Sequence, residues 1–106
     1  MKTKTWTEYL AAYDTVARYE ISVEDGKVVS VKVVGYFIDE HGEIYEYVRW
    51  DDSHGQFHKH CLYERKQQRF DINRPLHKAF NEAKDELRSE WKRYKKEFIR
   101  NHIKND

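Results

Sequence analysis

Val16-Ala17-Arg18-Tyr19-Glu20-Ile21-Ser22-Val23-Glu24-Asp25-Gly26-Lys27-Val28-Val29-Ser30-Val31-Lys32-Val33 is the stretch that decides the fold. In its first half Tyr19, Ile21 and Val23 alternate with Arg18, Glu20 and Ser22, the period of two of a half-buried strand over Val16–Val23. Asp25-Gly26 then separates two alternating runs. Both central residues of a tight hairpin turn need φ > 0, and Asp-Gly supplies them. The partner strand runs over Val28–Ile38, with Val29, Val31, Val33 and Phe37 on one face. Gly35 inside it marks a bulge or the close approach of another group.

Moving toward the C-terminus, Asp39-Glu40-His41-Gly42-Glu43 reads as a second turn and Ile44–Asp51 as a third strand, rich in aromatic and β-branched residues. Ser53–Gln56 interrupts it, and Phe57–Arg65 resumes as a fourth strand. A polar connection over Gln67–Arg74 leads to a helix start, with Asn73 as cap and Pro75 in the first turn. Leu76, Phe80, Ala83, Leu87, Trp91, Tyr94 and Phe98 recur at spacings of three and four, one apolar stripe on a helix of about 25 residues. At 1.5 Å per residue it is near 40 Å long, so its end is expected to project or to meet a partner. Toward the N-terminus, Thr5 or Thr7 caps a short helix with Trp6, Tyr9, Leu10 and Tyr13 on one side. The expected fold is α+β, in a single domain over residues 1–106. An antiparallel meander of about four strands is packed by the long C-terminal helix, with a short N-terminal helix beside it.

Composition agrees with one small core. The chain has 106 residues, 37% of them charged and 15% aromatic, and its apolar positions are periodic, which argues against disorder. Cys61 is the single cysteine; it excludes an internal disulfide and a cysteine-based zinc site within one chain, and it fits a reducing compartment. No apolar run approaches the roughly 20 residues of a membrane span, and Met1–Thr7 leads into no apolar signal core. The expected location is cytoplasmic, with no membrane partner. Residues 1–58 carry six Lys/Arg against eleven Asp/Glu, and residues 59–106 fourteen against eight, balances of −5 and +6. The split fits an anionic partner for the second half, or attraction between the halves within the fold.

Polar chemistry is concentrated in Tyr47–His60, Tyr-Val-Arg-Trp-Asp-Asp-Ser-His-Gly-Gln-Phe-His-Lys-His. Strand alternation puts Arg49 and Asp51 on one face and Trp50 and Asp52 on the other. Beyond the turn, His58 and His60 share a face, with Lys59 and Cys61 opposite. Three readings fit. Histidine is poised near neutral pH, a carboxylate can orient it, and Arg49 or Lys59 can stabilise developing negative charge, which suffices for acid–base cleavage of RNA. Alternatively two histidines at i and i+2, with His54 and an aspartate, bind a divalent ion. Or Asp-Asp-Ser-His-Gly is a structural turn whose polar groups satisfy local backbone. Cys61 reads as a core residue, His77 as a first-turn residue, and His41 and His102 as solvent groups. Lys92, Arg93, Lys95, Lys96, Arg100 and Lys104 make the last helical turns basic, suited to phosphates or to the helix dipole. Arg65, Lys66 and Arg69 extend that surface if the loop folds back.

Val48-Arg49-Trp50-Asp51-Asp52-Ser53-His54-Gly55-Gln56-Phe57-His58-Lys59-His60 resembles an Arg-Tyr-Asp-x-x-His-Gly-x-x-His-x-His/Asp pattern of small archaeal and bacterial proteins, which are similar in turn to TumE-like toxins. The segment from Asn81 to Tyr94 is similar to the closing helix of that family, and the resemblance covers about residues 15–100. It implies the meander-plus-helix fold, an RNA target and an antitoxin partner. Arg49, Asp51, His54, Gly55, His58 and His60 match the motif, while Trp50 replaces its tyrosine. The resulting expectation is a small toxin-like ribonuclease that needs no metal or other cofactor. Its catalytic residues are Arg49, Asp51, His54, His58 and His60, and Lys59, Arg65, Lys92, Arg93 and Lys96 bind nucleic acid. The alternative is a non-catalytic binding module or assembly subunit with a structural His-Gly turn, contacting its partner, or a second copy in a homodimer, through the C-terminal helix.

Overall fold

The computed structural model describes residues 1–103, apart from the side chain of His54. Six antiparallel strands form one sheet in chain order: β1 (Lys2–Ala11), β2 (Thr15–Glu24), β3 (Lys27–Ile38), β4 (Ile44–Asp51), β5 (His58–Cys61) and β6 (Gln68–Asp71). One helix, α1 (Leu76–Phe98), lies on one face of the sheet, chiefly over β3 and β4, and passes into a π-helical turn over Ile99–Ile103. The class is α+β as expected, but the strand count and the N-terminal element differ.

The N-terminal segment is a strand, not a helix. Thr3, Thr5 and Thr7 stand at every second position, and β-branched side chains suit a pleated strand better than a helix. β1 pairs with β2 from Lys2 opposite Val23 to Tyr9 opposite Val16. Trp6 faces Tyr19, with ring centroids 5.4 Å apart, and meets Phe80 of α1. The helical grouping of Trp6, Tyr9, Leu10 and Tyr13 fails because Tyr9 and Tyr13 are exposed.

The meander has six strands rather than four. β5 ends at Cys61, not Arg65, and the stretch expected as a polar connection contains β6, paired from His58 opposite Asp71 to Cys61 opposite Gln68. All four residues of β6, Gln-Arg-Phe-Asp, are exposed, so no alternation advertised it. Val29 is also displaced from the core face. The β2–β3 register shifts beside Val23, and Val29 is the extra, exposed residue.

The apolar stripe of α1 lies as its spacing required: Phe80, Ala83, Leu87 and Tyr94 are buried, and Leu76, Trp91 and Phe98 pack partly buried against the core. Pro75, not Asn73, precedes the first helical residue, and no side chain caps the helix; the Pro75 carbonyl accepts from the N–H groups of Lys78 and Ala79. The far end does not project freely. Asn101 donates to the Tyr63 carbonyl at 2.9 Å and His102 to the Glu64 carbonyl at 2.8 Å, so the last turn is tied to the β5–β6 connection. Among the described residues, no helix is long and apolar enough to cross a membrane.

Helix and sheet approach each other closely at Gly35. A Cβ there would stand 2.8 Å from Leu87 Cδ1, 2.9 Å from Val48 Cγ1 and 3.0 Å from Tyr47 Cε1. The missing side chain is what lets α1 seat Leu87 directly on β3. The β3–β4 register shifts at the same point, so Tyr47 and Val48 are both buried.

Candidate functional site on the open face of the sheet

Register decides which polar residues meet. Glu20, Lys32, Asp51, His58 and Asp71 stand opposite one another across β2 to β6. The neighbouring row is Arg18, Val34, Arg49, His60 and Arg69. Directly opposed residues share a face, and α1 covers the other one, so both rows lie on the open face. Trp50 and Lys59, one residue out of phase, point toward the helix.

Three of the expected catalytic residues converge here. Asp51 Oδ1 lies 3.0 Å from His58 Nε2, and the His58 and His60 rings stand edge to face with centroids 4.4 Å apart. Asp51 and His58 are buried, His58 with 0% exposure, while His60 is half-buried. His58 Nδ1 lies 2.6 Å from the Gln56 carbonyl oxygen. A carbonyl can only accept, so Nδ1 carries the proton. His58 Nε2 then faces Asp51 without being hydrogen-bonded to it, because the ring's N–H direction misses the carboxylate. It is one of two buried polar side-chain atoms without a hydrogen-bond partner among the described residues; the other, the Tyr47 hydroxyl, is in the core.

Asp51 itself is well held. Its Oδ1 accepts from the Ser53 hydroxyl at 2.7 Å and the Ser53 N–H at 3.2 Å. Burial works to raise its carboxyl pKa, but these hydrogen bonds and the charges of His58 and His60 together hold it below the ordinary value. The His60 pKa is lowered, first by burial and then by the charge of His58. Asp51, His58 and His60 each offer one donor atom, all within 4.8 Å of one another, and can hold a metal ion.

The turn also has a structural side. Asp52 accepts from the Ser30 hydroxyl at 2.9 Å and the Val31 N–H at 3.3 Å, clasping the turn to β3. Gln56 donates to the Ile72 carbonyl at 2.9 Å. These bonds account for Asp52, Ser53 and Gln56. They leave His58 Nε2 unpartnered among the described residues and His60 half-exposed.

Arg49 is on the same face and pairs with Glu46 through Nε at 3.0 Å and Nη2 at 2.6 Å. With Arg18, Lys32, Tyr36 and Glu46 it lines a shallow depression. A second depression, lined by Lys32, Arg49, Asp51 and Asp52 among others, adjoins it. Arg18 and Lys32 make no ion pair among the described residues, whereas Arg69 pairs with Asp71 at 3.3 Å. Sequence reasoning passed over Arg18 and Lys32. Their alternation along the hairpin was visible, but the register that sets them in line with Arg49 and Asp51 was not.

The residues expected to bind nucleic acid lie elsewhere. Lys59 is enclosed between sheet and helix, its Nζ 2.6 Å from Glu86, 2.8 Å from the Tyr94 hydroxyl and 3.2 Å from the Tyr63 hydroxyl. Arg93 pairs with Glu90 at 3.2 Å and Glu97 at 3.8 Å. Lys92 and Lys96 line a cleft on α1 with Trp91, Lys95, Ile99 and Arg100. Arg65 is exposed in the β5–β6 connection. Lys59 and the helix cations thus lie on the helix side of the sheet, not beside the histidines. The His54 side chain is outside the described residues.

A family profile described as a domain of unknown function (DUF7718) matches residues 1–104. The chain belongs to that family. The match takes in all six strands and the helix, so the open face and its cluster lie within the family's domain. No curated protein and no solved structure matches the chain.

Proposed function

We propose that this protein acts on RNA laid across the open face of its sheet. The reacting centre is Asp51, His58 and His60, and Arg18, Lys32 and Arg49 hold the phosphates. The observation that carries this reading is the adjacency, on one face, of a cation-lined depression and a buried histidine–carboxylate cluster. Phosphate contacts by Arg and Lys supply most of the affinity of such surfaces, and Tyr36 in the same depression offers a ring for base stacking. His60 is the histidine of the cluster that a substrate reaches; His58 and Asp51 act from behind it. The Arg49–His60 segment resembles a pattern of small proteins that are similar in turn to TumE-like toxins, and on that resemblance the expected cellular outcome is growth arrest and the expected protein partner an antitoxin.

The purified chain is expected to bind and cleave a single-stranded RNA oligonucleotide at low salt. Arg18→Ala/Lys32→Ala should weaken binding at least tenfold and reduce the salt dependence by about two phosphate contacts. His60→Ala should lower cleavage by about 10²–10⁴-fold while circular dichroism stays native. Intact RNA and no binding at 50 mM salt by the wild-type chain would sink this reading.

A second reading is favoured by the cleft around Trp91 and Ile99, an apolar floor ringed by cations toward the C-terminal end of α1. There the helix is a contact surface for a second copy, and the open face is inert. Sedimentation equilibrium separates the two readings. Under the second, wild-type mass rises with concentration and Trp91→Ala stays monomeric; a monomeric wild type removes it. Trp91 is the better target than truncation after Tyr94, because truncation would also remove Phe98, which packs on Phe37 and Tyr45.

A further inference from the structure

We infer that Asp51, His58 and His60 form a binding site for one divalent transition-metal ion of the zinc type. The Nδ1–H of His58 is committed to the Gln56 carbonyl at 2.6 Å, so when the ring is neutral its lone pair is on Nε2. A backbone carbonyl on the far nitrogen is the usual way a metal-binding histidine is oriented and its tautomer set. Nε2 is fully buried and has no hydrogen-bond partner among the described residues, which is costly for a polar atom unless something else meets it.

What it faces is another electron-pair donor. Asp51 Oδ1 lies 3.0 Å away, off the line along which a ring proton would point. Two ligands of one ion aim at the ion and not at each other, so a short, misaligned donor–donor contact is what chelation requires. In a tetrahedral shell with bonds of ~2.0–2.1 Å, neighbouring donors stand about 3.4 Å apart. The Asp51–His58 pair is already near that spacing. His60 brings its donor within 4.8 Å of the others, on a ring that is only half-buried.

Hydrogen bonds already hold two of these ligands in place. Ser53 fixes the Asp51 carboxylate through hydroxyl and N–H, as Gln56 fixes His58. Asp51 lines one of the open-face depressions, which gives the ion a way in. Two imidazoles and one carboxylate suit zinc and its borderline neighbours better than Mg²⁺ or Ca²⁺, which prefer all-oxygen shells. Three protein ligands leave at least one position open to solvent or substrate, as in hydrolytic zinc sites. The site departs from the cofactor-free expectation of the sequence. It stands on the cluster's geometry alone and does not need RNA to be the substrate.

The test is titration of the chelator-stripped full-length chain with Co²⁺, followed by visible absorption, and with Zn²⁺, followed by calorimetry. Wild type is expected to take up one ion per chain with the ligand-field bands of a nitrogen–oxygen site. His60→Ala and Asp51→Asn, both checked for native circular dichroism, should bind on the order of 10²-fold more weakly or not at all. His77→Ala, in the first turn of α1, should bind as wild type does. No uptake of either ion by wild type, or unchanged affinity in both His60→Ala and Asp51→Asn, would overturn the site. RNA assays run beside it keep the two readings apart. A bound ion with untouched RNA removes the RNA reading alone, and RNA cleavage with no ion taken up removes the metal site alone.

Discussion

Leu87→Ala is expected to lower the free energy of unfolding by about 2–5 kcal/mol, toward the upper part of that range. Leu87 has 0% exposure and stands where α1 lies close on the sheet, over a glycine. Gly35 has no side chain to lean into the space a truncated leucine would leave, and Val48 and Tyr47 around it are themselves fully buried. Little collapse can offset the cavity. Gly35→Ala errs in the opposite direction: its methyl would meet three core atoms at 2.8–3.0 Å, and overpacking of this kind costs about 1–3 kcal/mol. The two changes are complementary in shape. The double variant Gly35→Ala/Leu87→Ala should therefore be more stable than the sum of the single losses, by at least ~0.5 kcal/mol of coupling. Urea unfolding of the four proteins measures this. Strict additivity would show that Gly35 is not the seat of Leu87.

Lys59→Met is expected to cost about 1–3 kcal/mol, although it keeps the aliphatic stem in place. The ammonium is bonded to Glu86 and to the hydroxyls of Tyr63 and Tyr94, whose rings stack with centroids 4.1 Å apart. It also stands 4.5 Å from the Tyr94 ring centroid. Removing it takes the ammonium from both hydroxyls and from Glu86, which keeps only the bond donated by the Tyr94 hydroxyl at 2.6 Å. The Glu86 side chain is 37% exposed and can turn to water, which keeps the loss below that of a fully buried pair. Lys59→Met/Glu86→Leu, which removes both charges, should recover much of the loss.

The pH dependence has a definite sign. Burial works to lower the Lys59 pKa, but the hydrogen bonds to Glu86 and Tyr94 and the charge of Glu86 outweigh it, and the net shift is upward. A raised folded-state pKa contributes stability that is fully present below the unfolded value near ~10.4 and is lost as pH rises through the folded value. Thermal unfolding should show wild type and Lys59→Met converging only above about pH 10. Convergence near neutrality would show that the charge of Lys59 is not what holds the network.

The legibility of the fold followed the strength of each local pattern. The β2–β3 hairpin was readable because alternation and Asp25-Gly26 agree, and α1 because its stripe runs for more than six turns. β1 was misread because Trp6, Tyr9, Leu10 and Tyr13 happen to fall at helical spacings, while the alternating threonines carried the truer signal. β6 was invisible. An exposed edge strand of four residues is specified by its pairing with β5 and by little in its own side chains.

The candidate site divides in the same way. That Asp51 shares a face with Arg49, and His58 with His60, follows from alternation within each strand, and the sequence by itself determined it, together with the α+β class and the apolar face of α1. That the two pairs lie on the same side, which side that is, and what lies beside them, only the tertiary structure decided. Shifting a strand's register by one residue exchanges its two faces, and no local pattern states the register between strands distant in the chain. Pairing of β2 with β3 and of β3 with β4 brought Arg18 and Lys32 into line with Arg49 and Asp51. Packing of α1 on the other face enclosed Lys59 and left the histidines on the open side. Sequence spacing sets which way a side chain points within its own element; only the packed sheet sets what it points at.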